Sequence, residues 1–504
     1  MKKQIIKNIL FNILNFIVNA LIGIMLTPYL IKHIGVVAYG MVPLALFITS
    51  YVGVLTQSLT ASVNRHMIEA LHTNDYKKAS VIFNTALILM MALIIFSSAI
   101  FAWPIFNISR IISVPDYLLN DTIFLFLCVL LGFFLSLISS IFAVSMYANN
   151  RIDMMQVINI IKNIVKLCTI LILFDLGQYR LSSVGLGIVF SELIALIIFI
   201  LYSRRIVPYI SIKPALFDMV AVKKLSGLGG WLIADQVGVI LLSKMDLIVV
   251  NKTFGSNYGG RYSIITQFSD LFRSMAGLVG GVLGPVMMIL HSKSEHTEMV
   301  VLTKIFMKFM SLTMAVPVIV LCVFSKEIIT LWIGPHYDDV AQLSWYIIFP
   351  LIINLGTIPL FSINIAMNKI KIPSISNIIF GVLGLILSIM LIKTEHFGLE
   401  GIAIGFVVAT TFKNSLFMPL YAAQILRLPH MTFLLAHLRT LLFATVFTLF
   451  LFLIKGFISI SGVLFFAEIF LLCILGFALT TVFYSRNEIL SALGLAKEIL
   501  KKNG

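Results

Sequence analysis

The sequence predicts an all-α, polytopic membrane protein of about fourteen transmembrane helices, and three observations lead there. Charged residues make up only 11% of the 504, whereas 60% are apolar. A soluble chain carries roughly 25% charged residues, because a folded protein still has to cover its surface. Apolar runs of about 20 residues recur from one end to the other with no soluble domain inserted. Lys and Arg also alternate in abundance from one connector to the next, the charge signature of a chain stitched through a bilayer. The mean hydropathy of +1.07 agrees. Together these exclude a soluble enzyme, a disordered regulator and a secreted disulfide scaffold.

Taken in order, the spans are expected at centres near residues 20, 48, 92, 132, 164, 194, 238, 274, 313, 354, 383, 411, 444 and 472. Lys2, Lys3 and Lys7 ahead of the first run imitate a signal peptide. That run is too long, carries Asn8, Asn12, Asn15 and Asn19, and lacks a small-x-small cleavage site, so it reads as an uncleaved first span. Breaks such as Gly334-Pro335 and Arg427-Leu428-Pro429 separate later spans. The longest connector covers roughly residues 203–224.

The net charge of +15 is mostly topology. The N-terminus holds Lys2, Lys3 and Lys7, and the next connector only Lys32. The third connector holds Arg65, Lys77 and Lys78, the fourth Arg110, and the seventh Arg204, Arg205, Lys213, Lys223 and Lys224. The C-terminus holds Arg486, Lys497, Lys501 and Lys502. Summed by side, roughly 22 basic residues face roughly 8. The basic side includes both termini, which are therefore expected in the cytoplasm with an even number of spans.

The two halves resemble each other. Residues 30–43, LIKHIGVVAYGMVP, parallel residues 250–263, VNKTFGSNYGGRYS, with Lys32 on Lys252, Gly35 on Gly255 and Gly40 on Gly260. More weakly, FAVSMYANN at 142–150 parallels FSINIAMNK at 361–369, setting Asn149 on Asn368, and GLGIVF at 185–190 parallels GIAIGF at 401–406. Two pseudo-symmetric six-helix lobes follow, residues 1–210 (spans 1–6) and 211–428 (spans 7–12). Residues 429–504 add spans 13–14 and a cytoplasmic tail. Parallel repeats with a cavity between them are a transporter architecture, and one chain with two lobes makes a monomer sufficient.

Ionisable groups inside a bilayer are costly and mark pathways or pairs. In span 5, Gln156, Asn159, Lys162, Asn163 and Lys166 fall within an arc of ~120°. They form either a cationic wall for an anionic group, or a face that is solvated or paired with Glu192. In span 1, Asn8, Asn12, Asn15 and Asn19 make an amide stripe, suited to sugar hydroxyls or to interhelical hydrogen bonds. Span 7 carries Asp235, Lys244 and Asp246, with Lys244 on the far side of an unbroken helix and Gly238 as a candidate interruption. In span 8, Asp270 and Arg273 lie one turn apart; they form a local ion pair, or Arg273 offers its planar fork to phosphate. Arg65 ends span 2 after Gln57, Thr60 and Asn64, placed for a substrate or for headgroups. Lys308 and Lys413 also lie within spans.

Chemistry of other kinds is missing. There is no Walker-type loop, and no His, Cys, Asp or Glu cluster has metal spacing. Cys128, Cys168, Cys322 and Cys473 sit apart in apolar stretches, with no disulfide framework, and are expected in the core.

Three segments carry a family resemblance. SLTASVNRHMIEA at 58–70 resembles the end of the second span in polysaccharide flippases. KMDLIVVNKTFGSNYGGRYSIITQF at 244–268 resembles their seventh-to-eighth span hairpin, with Asp246, Gly255, Gly260 and Tyr262 at the matching places. LFRSMAGLVGGVLGPVMMIL at 271–290 is similar to the span that follows, including Pro285. The likeness covers essentially the whole chain and points to Wzx-type flippases of the multidrug/oligosaccharidyl-lipid/polysaccharide (MOP) exporter superfamily, whose members include the MATE-like exporters.

The resemblance implies a transporter, not an enzyme, in the bacterial cytoplasmic (inner) membrane. It would move undecaprenyl-diphosphate-linked glycan, as in O-antigen or lipopolysaccharide assembly, from the cytoplasmic to the outer leaflet by alternating access. Arg65, Lys162, Lys166 and Arg273 would neutralise the diphosphate, with Asn15, Asn19, Asn159 and Asn163 toward the glycan. Asp235, Lys244, Asp246 and Asp270 are coupling or ion-pair candidates, with no cofactor beyond H⁺ or Na⁺. Membrane lipids and other polysaccharide assembly proteins are the expected partners, and nucleic acid is not. One departure stands out: related lipid II flippases place an Arg-Asp pair in the first span, where this chain has only asparagines. Two alternatives remain, a cation-coupled multidrug exporter of the same superfamily and a membrane glycan polymerase or ligase.

Overall fold

A computed structural model of the chain describes residues 2–226, 230–394, 396–458, 462–485 and 488, and every regular element among them is a helix. The expected cytoplasmic tail with Arg486, Lys497, Lys501 and Lys502 lies outside the described residues. In chain order the helices are α1 (Lys2–His72), α2 (Tyr76–Phe106), α3 (Ile108–Ile111), α4 (Leu119–Ala148), α5 (Ile152–Asp175), α6 (Leu181–Ile206) and α7 (Met219–Ser226). There follow α8 (Gly230–Phe254), α9 (Ser256–Ser292), α10 (His296–Val323), α11 (Ser325–Ile333), α12 (Leu343–Ile347), α13 (Leu351–Gly356) and α14 (Ile358–Ala366). The series ends with α15 (Lys371–Lys393), α16 (Leu399–Phe412), α17 (Met418–Ile425), α18 (Met431–Leu434), α19 (Leu438–Ile454) and α20 (Gly462–Thr480).

Eleven helical stretches are long and apolar enough to cross a membrane, or twelve if the bent pair Pro335–Ile347 and Leu351–Ala366 is one span. Each of the fourteen expected centres falls inside a helix. Two local features separate the counts. The helix α1 contains two expected centres on either side of Gly35, where φ is 81° and the helical dihedrals break. The helix α8 carries Asp235, Lys244, Asp246 and Lys252, too much charge for a hydropathy criterion. Gly238 does not interrupt it, since α8 runs unbroken from Gly230 to Phe254.

The repeat is visible in the turns. Gly35 and Gly255 both take positive φ, 81° and 91°, at the break between paired helices. Asn74 (55°) and Ser294 (61°) repeat this at the same spacing of residues. Asn150 (55°) and Asn368 (54°) also take positive φ, at a slightly shorter spacing, so by backbone conformation the counterpart of Asn368 is Asn150 and not Asn149. Asn tolerates the left-handed region because its short side chain bonds locally. Gly40 and Gly260, which the repeat superposes, pack against each other, and a Cβ on Gly40 would lie 2.6 Å from Gly260 Cα.

The chain divides into two units, Met1–Ile240 with Asn251–Gly260, and Leu241–Val250 with Arg261–Gly504. In the first, α6 packs along α4 and α5, and α1 leans on both. The connector after α6 is strapped to α2: Asn84 Nδ2 donates to Ser211 O (2.6 Å), and Asn84 Oδ1 accepts from Lys213 N (2.8 Å). Connectors expected on one face meet within this unit, as when Lys252 Nζ donates to Arg110 O (2.9 Å). In the second unit α10 packs against α13, α19 and α20. Met299, Leu302 and Met307 of α10 share a buried cluster with Leu283 and Met287 of α9 and with Phe433.

The outward faces are apolar. Ile9, Leu10, Ile13 and Ile17 on α1, and Leu442, Val446, Leu449 and Leu453 on α19, are all exposed. Such stripes suit hydrocarbon and would be a liability in water. Cys128 and Cys322 are buried as expected, but Cys168 is exposed and Cys473 half-buried; all four are free thiols. The position of Cys168 on a lipid-type face explains this, because an apolar environment outside the fold suits a thiol as well as the core does.

Candidate functional site

The first unit gathers polar residues where α1 meets α5. Asp153, the second residue of α5, has a side chain with no solvent exposure and pairs with Lys7 Nζ at 2.9 Å and Arg151 Nε at 3.4 Å. Gln4 Nε2 also donates to it, at 2.7 Å. Asn8 Nδ2 donates to Asn150 Oδ1 (2.8 Å), and Asn8 Oδ1 accepts from Asp153 N (3.0 Å). This end of the amide stripe is therefore interhelical bonding, as low dielectric favours. Asp153 and Asn150 escaped the sequence reading. The usable signal is an acidic residue just inside a span, opposite a basic N-terminus.

Deeper along the same helices, Asn15 Nδ2 donates to Gln156 Oε1 at 2.8 Å, while Asn15 Oδ1 is buried with no partner among the described residues. Asn159 is half-buried, Asn163 buried and Asn19 exposed. Lys162 Nζ reaches Glu192 Oε1 of α6 at 3.1 Å, with side chains 26% and 16% exposed. Lys166, one turn on, is half-buried and within electrostatic reach of Lys162 and Glu192. It forms no hydrogen bond or ion pair among the described residues. The two-lysine wall thus divides into an ion-paired lysine and one with no ion pair of its own among the described residues. Arg65 stands apart, exposed and without an ion pair among the described residues. Asp235, on the part of α8 that belongs to this unit, is buried.

The second unit holds its own cluster on α8 and α9. Lys244 Nζ bonds to Asp270 Oδ2, so Asp270 is taken across helices and the local Asp270–Arg273 pair does not form. Nor does Lys244 turn away from acidic partners, because its partner stands on the neighbouring helix. Tyr262 OH donates to Asp246 Oδ2 (2.7 Å), and Leu247 N to Asp246 Oδ1 (2.9 Å). Arg273 Nε donates to Ser269 Oγ at 3.3 Å, with Asp246 and Asp270 both near enough to act on it electrostatically. A cavity of about 30 Å³ is lined by Asp246, Thr266, Ser269, Asp270, Arg273 and Asn354, among others. That is room for one water. Among the described residues no group of three His, Cys, Asp or Glu gathers as a metal site.

Of the other intramembrane cations, Lys413 is buried at a short π-helix and bonds Asn377 Oδ1. Lys308 bonds Glu488. The partners of both stand well away along the chain, by 36 residues for Lys413 and 180 for Lys308.

A helical membrane bundle with buried charge pairs and a few spare cations defines a multi-span integral membrane protein rather than a soluble catalyst. Residues 5–291, more than half of the chain, match the family described as polysaccharide biosynthesis protein, and the chain belongs to that family. It is 27% identical over 417 residues to the "Uncharacterized membrane protein EpsK" of Bacillus subtilis (strain 168), covering 82% of each. It is 23% identical to the "Putative O-antigen transporter" of Shigella flexneri, covering 83% of this chain and 98% of that one. Its fold is similar to a multidrug resistance MATE family transporter of the MOP superfamily in the inward-facing conformation (TM-score 0.66, 13% identity, 86% of this chain and 94% of that one). It is also similar to the lipid II flippase MurJ in an inward closed conformation (TM-score 0.62, 16% identity, 95% of this chain and 100% of that one). The expectations of an all-helical MOP-type fold and a polysaccharide family are borne out.

Proposed function

We propose that the protein is a flippase that moves an undecaprenyl-diphosphate-linked oligosaccharide from the cytoplasmic to the outer leaflet of the bacterial inner membrane. Family membership and the likeness to an O-antigen transporter support the substrate class. The observation that carries the reading is Lys166: a half-buried cation within an apolar span, with no ion pair of its own among the described residues, beside a Lys162–Glu192 pair that is already formed. An unpaired charge at that depth is expensive, and a visiting diphosphate would supply the missing anion. Asn159, Asn163 and Asn19 lie on the same two helices for the sugar, with Asn15 already bonded to Gln156. Arg273 of the second unit and Arg65 would contact the same headgroup in successive states of an alternating-access cycle.

The membrane potential, positive outside, is worth about 2.3 kcal/mol per charge per 100 mV, so it favours outward movement of a diphosphate. Asp235, Asp246 and Asp270 are the carboxylates through which H⁺ or Na⁺ would couple. Lys162→Ala combined with Lys166→Ala should abolish complementation of a deletion strain while membrane abundance stays unchanged. In the deletion strain the undecaprenyl-linked glycan should accumulate in the inner leaflet. Normal glycan display in that strain, or full complementation by the double variant, would overturn the reading.

A further inference from the structure

A second polar site lies in the second unit, at the bundle end that carries the excess of Lys and Arg. Lys304 and Lys308 stand one turn apart on α10, and Arg439 is the second residue of α19. Like charges at this spacing on one helix repel. These three cations line a surface pocket of about 480 Å³, and Glu488 is the carboxylate that shares it. Lys308, only 6% exposed, donates from Nζ to Glu488 Oε2 at 2.7 Å and sits 5.1 Å from the centre of the Tyr484 ring. Arg439, 63% exposed, is 3.9 Å from the other carboxylate oxygen. Lys304 is exposed, with no ion pair among the described residues.

One carboxylate facing three cations leaves the pocket positive. Its rim is apolar: Met431 and Leu435 line it, and Leu438 continues the same outward face, all three exposed. Cations beside a lipid-facing apolar strip are the arrangement that fits a phosphodiester joined to acyl chains, with the phosphate on Lys304, Lys308 and Arg439 and the chains along that strip. A free phosphate would use the cations but gain nothing from the strip.

We propose that this pocket binds the headgroup phosphate of an anionic phospholipid, in competition with the Glu488 carboxylate. Ser485 and Glu488 hold each other, Ser485 N donating to Glu488 Oε2 (2.7 Å) and Glu488 N to Ser485 Oγ (3.2 Å). This reciprocal box fixes the carboxylate with which the lipid phosphate would compete.

The test is native mass spectrometry of the purified full-length protein, titrated with short-chain phosphatidylglycerol, with phosphatidylcholine of the same chains, and with inorganic phosphate. Phosphatidylglycerol should be retained over phosphatidylcholine. Lys304→Ala with Arg439→Ala, both on exposed side chains, should weaken that retention roughly 10- to 30-fold, from the usual worth of two basic residues at a membrane surface. Glu488→Gln should strengthen it, and keeps the proposal testable if the double variant fails to fold. Equal retention by the double variant, equal retention of phosphatidylcholine, or no gain in Glu488→Gln would each overturn it. Displacement of the lipid by an equal concentration of inorganic phosphate would overturn it in favour of a free-anion site.

Discussion

Lys166 and Lys162 look alike in the sequence, one turn apart on the same polar arc, yet they have different roles in the fold. Glu192 pairs with Lys162 from the neighbouring helix and leaves Lys166 without an ion pair of its own among the described residues. Lys166→Ala alone should therefore cost most of the complementing activity. Lys162→Ala with Glu192→Ala, which deletes a neutral pair, should retain a substantial part, and glycan display in the deletion strain measures both. Glu488 supplies a pH test outside the spans. Burial raises its pKa, but the hydrogen bond from Lys308, the Ser485 N–H and the Lys308 charge outweigh that, so the carboxyl titrates below its ordinary value. Arg439 and Tyr484 also face it. The stability this contributes is complete above the unfolded pKa of roughly 4.3 and is lost as pH falls through the lower folded value. Melting temperature followed down through the carboxylate range should show a decline that Glu488→Gln lacks. An identical decline in both would show that the pair contributes nothing.

The helices themselves were legible because a bilayer demands long apolar stretches with satisfied backbones. Their breaks were legible where glycine or asparagine was needed. Gly35 and Gly255 were paired by sequence alone, and both prove to hold positive φ. The slip between Asn149 and Asn150 has a simple cause. Either asparagine can end a helix, and only the backbone shows which one turns left-handed. The contact between Gly40 and Gly260 could not be read, because it depends on two helices crossing. A Cβ on Gly260 would collide with the Val36 carbonyl oxygen and carbon. Gly260→Ala should therefore destabilise by about 1–3 kcal/mol and lower both membrane abundance and melting temperature. Gly277→Ala, where an added methyl meets nothing within 4 Å, should be neutral or mildly stabilising. Equal behaviour of the two variants would remove close packing as the reason for Gly260.

For the whole molecule, charge asymmetry predicts that Lys32 and Lys252 face outward and Lys77 and Arg204 inward. Cysteines introduced at these positions should react with a membrane-impermeant maleimide in intact cells at the first two, and only after lysis at the others. Labelling at Lys77 in intact cells would reverse the orientation. The positions of the helices and the paired turns follow from the amino-acid order alone, because solvation by lipid acts on each residue according to its own chemistry and its neighbours along the chain. The partners of the charges do not: Lys162 with Glu192 and Lys244 with Asp270 pair across neighbouring helices, while Lys7 with Asp153 and Lys308 with Glu488 bridge residues far apart in sequence. Short-range electrostatics in a low-dielectric medium depend on distances of a few ångströms. Those distances exist only once the helices have packed, and the packing is what leaves Lys166 without an ion pair among the described residues.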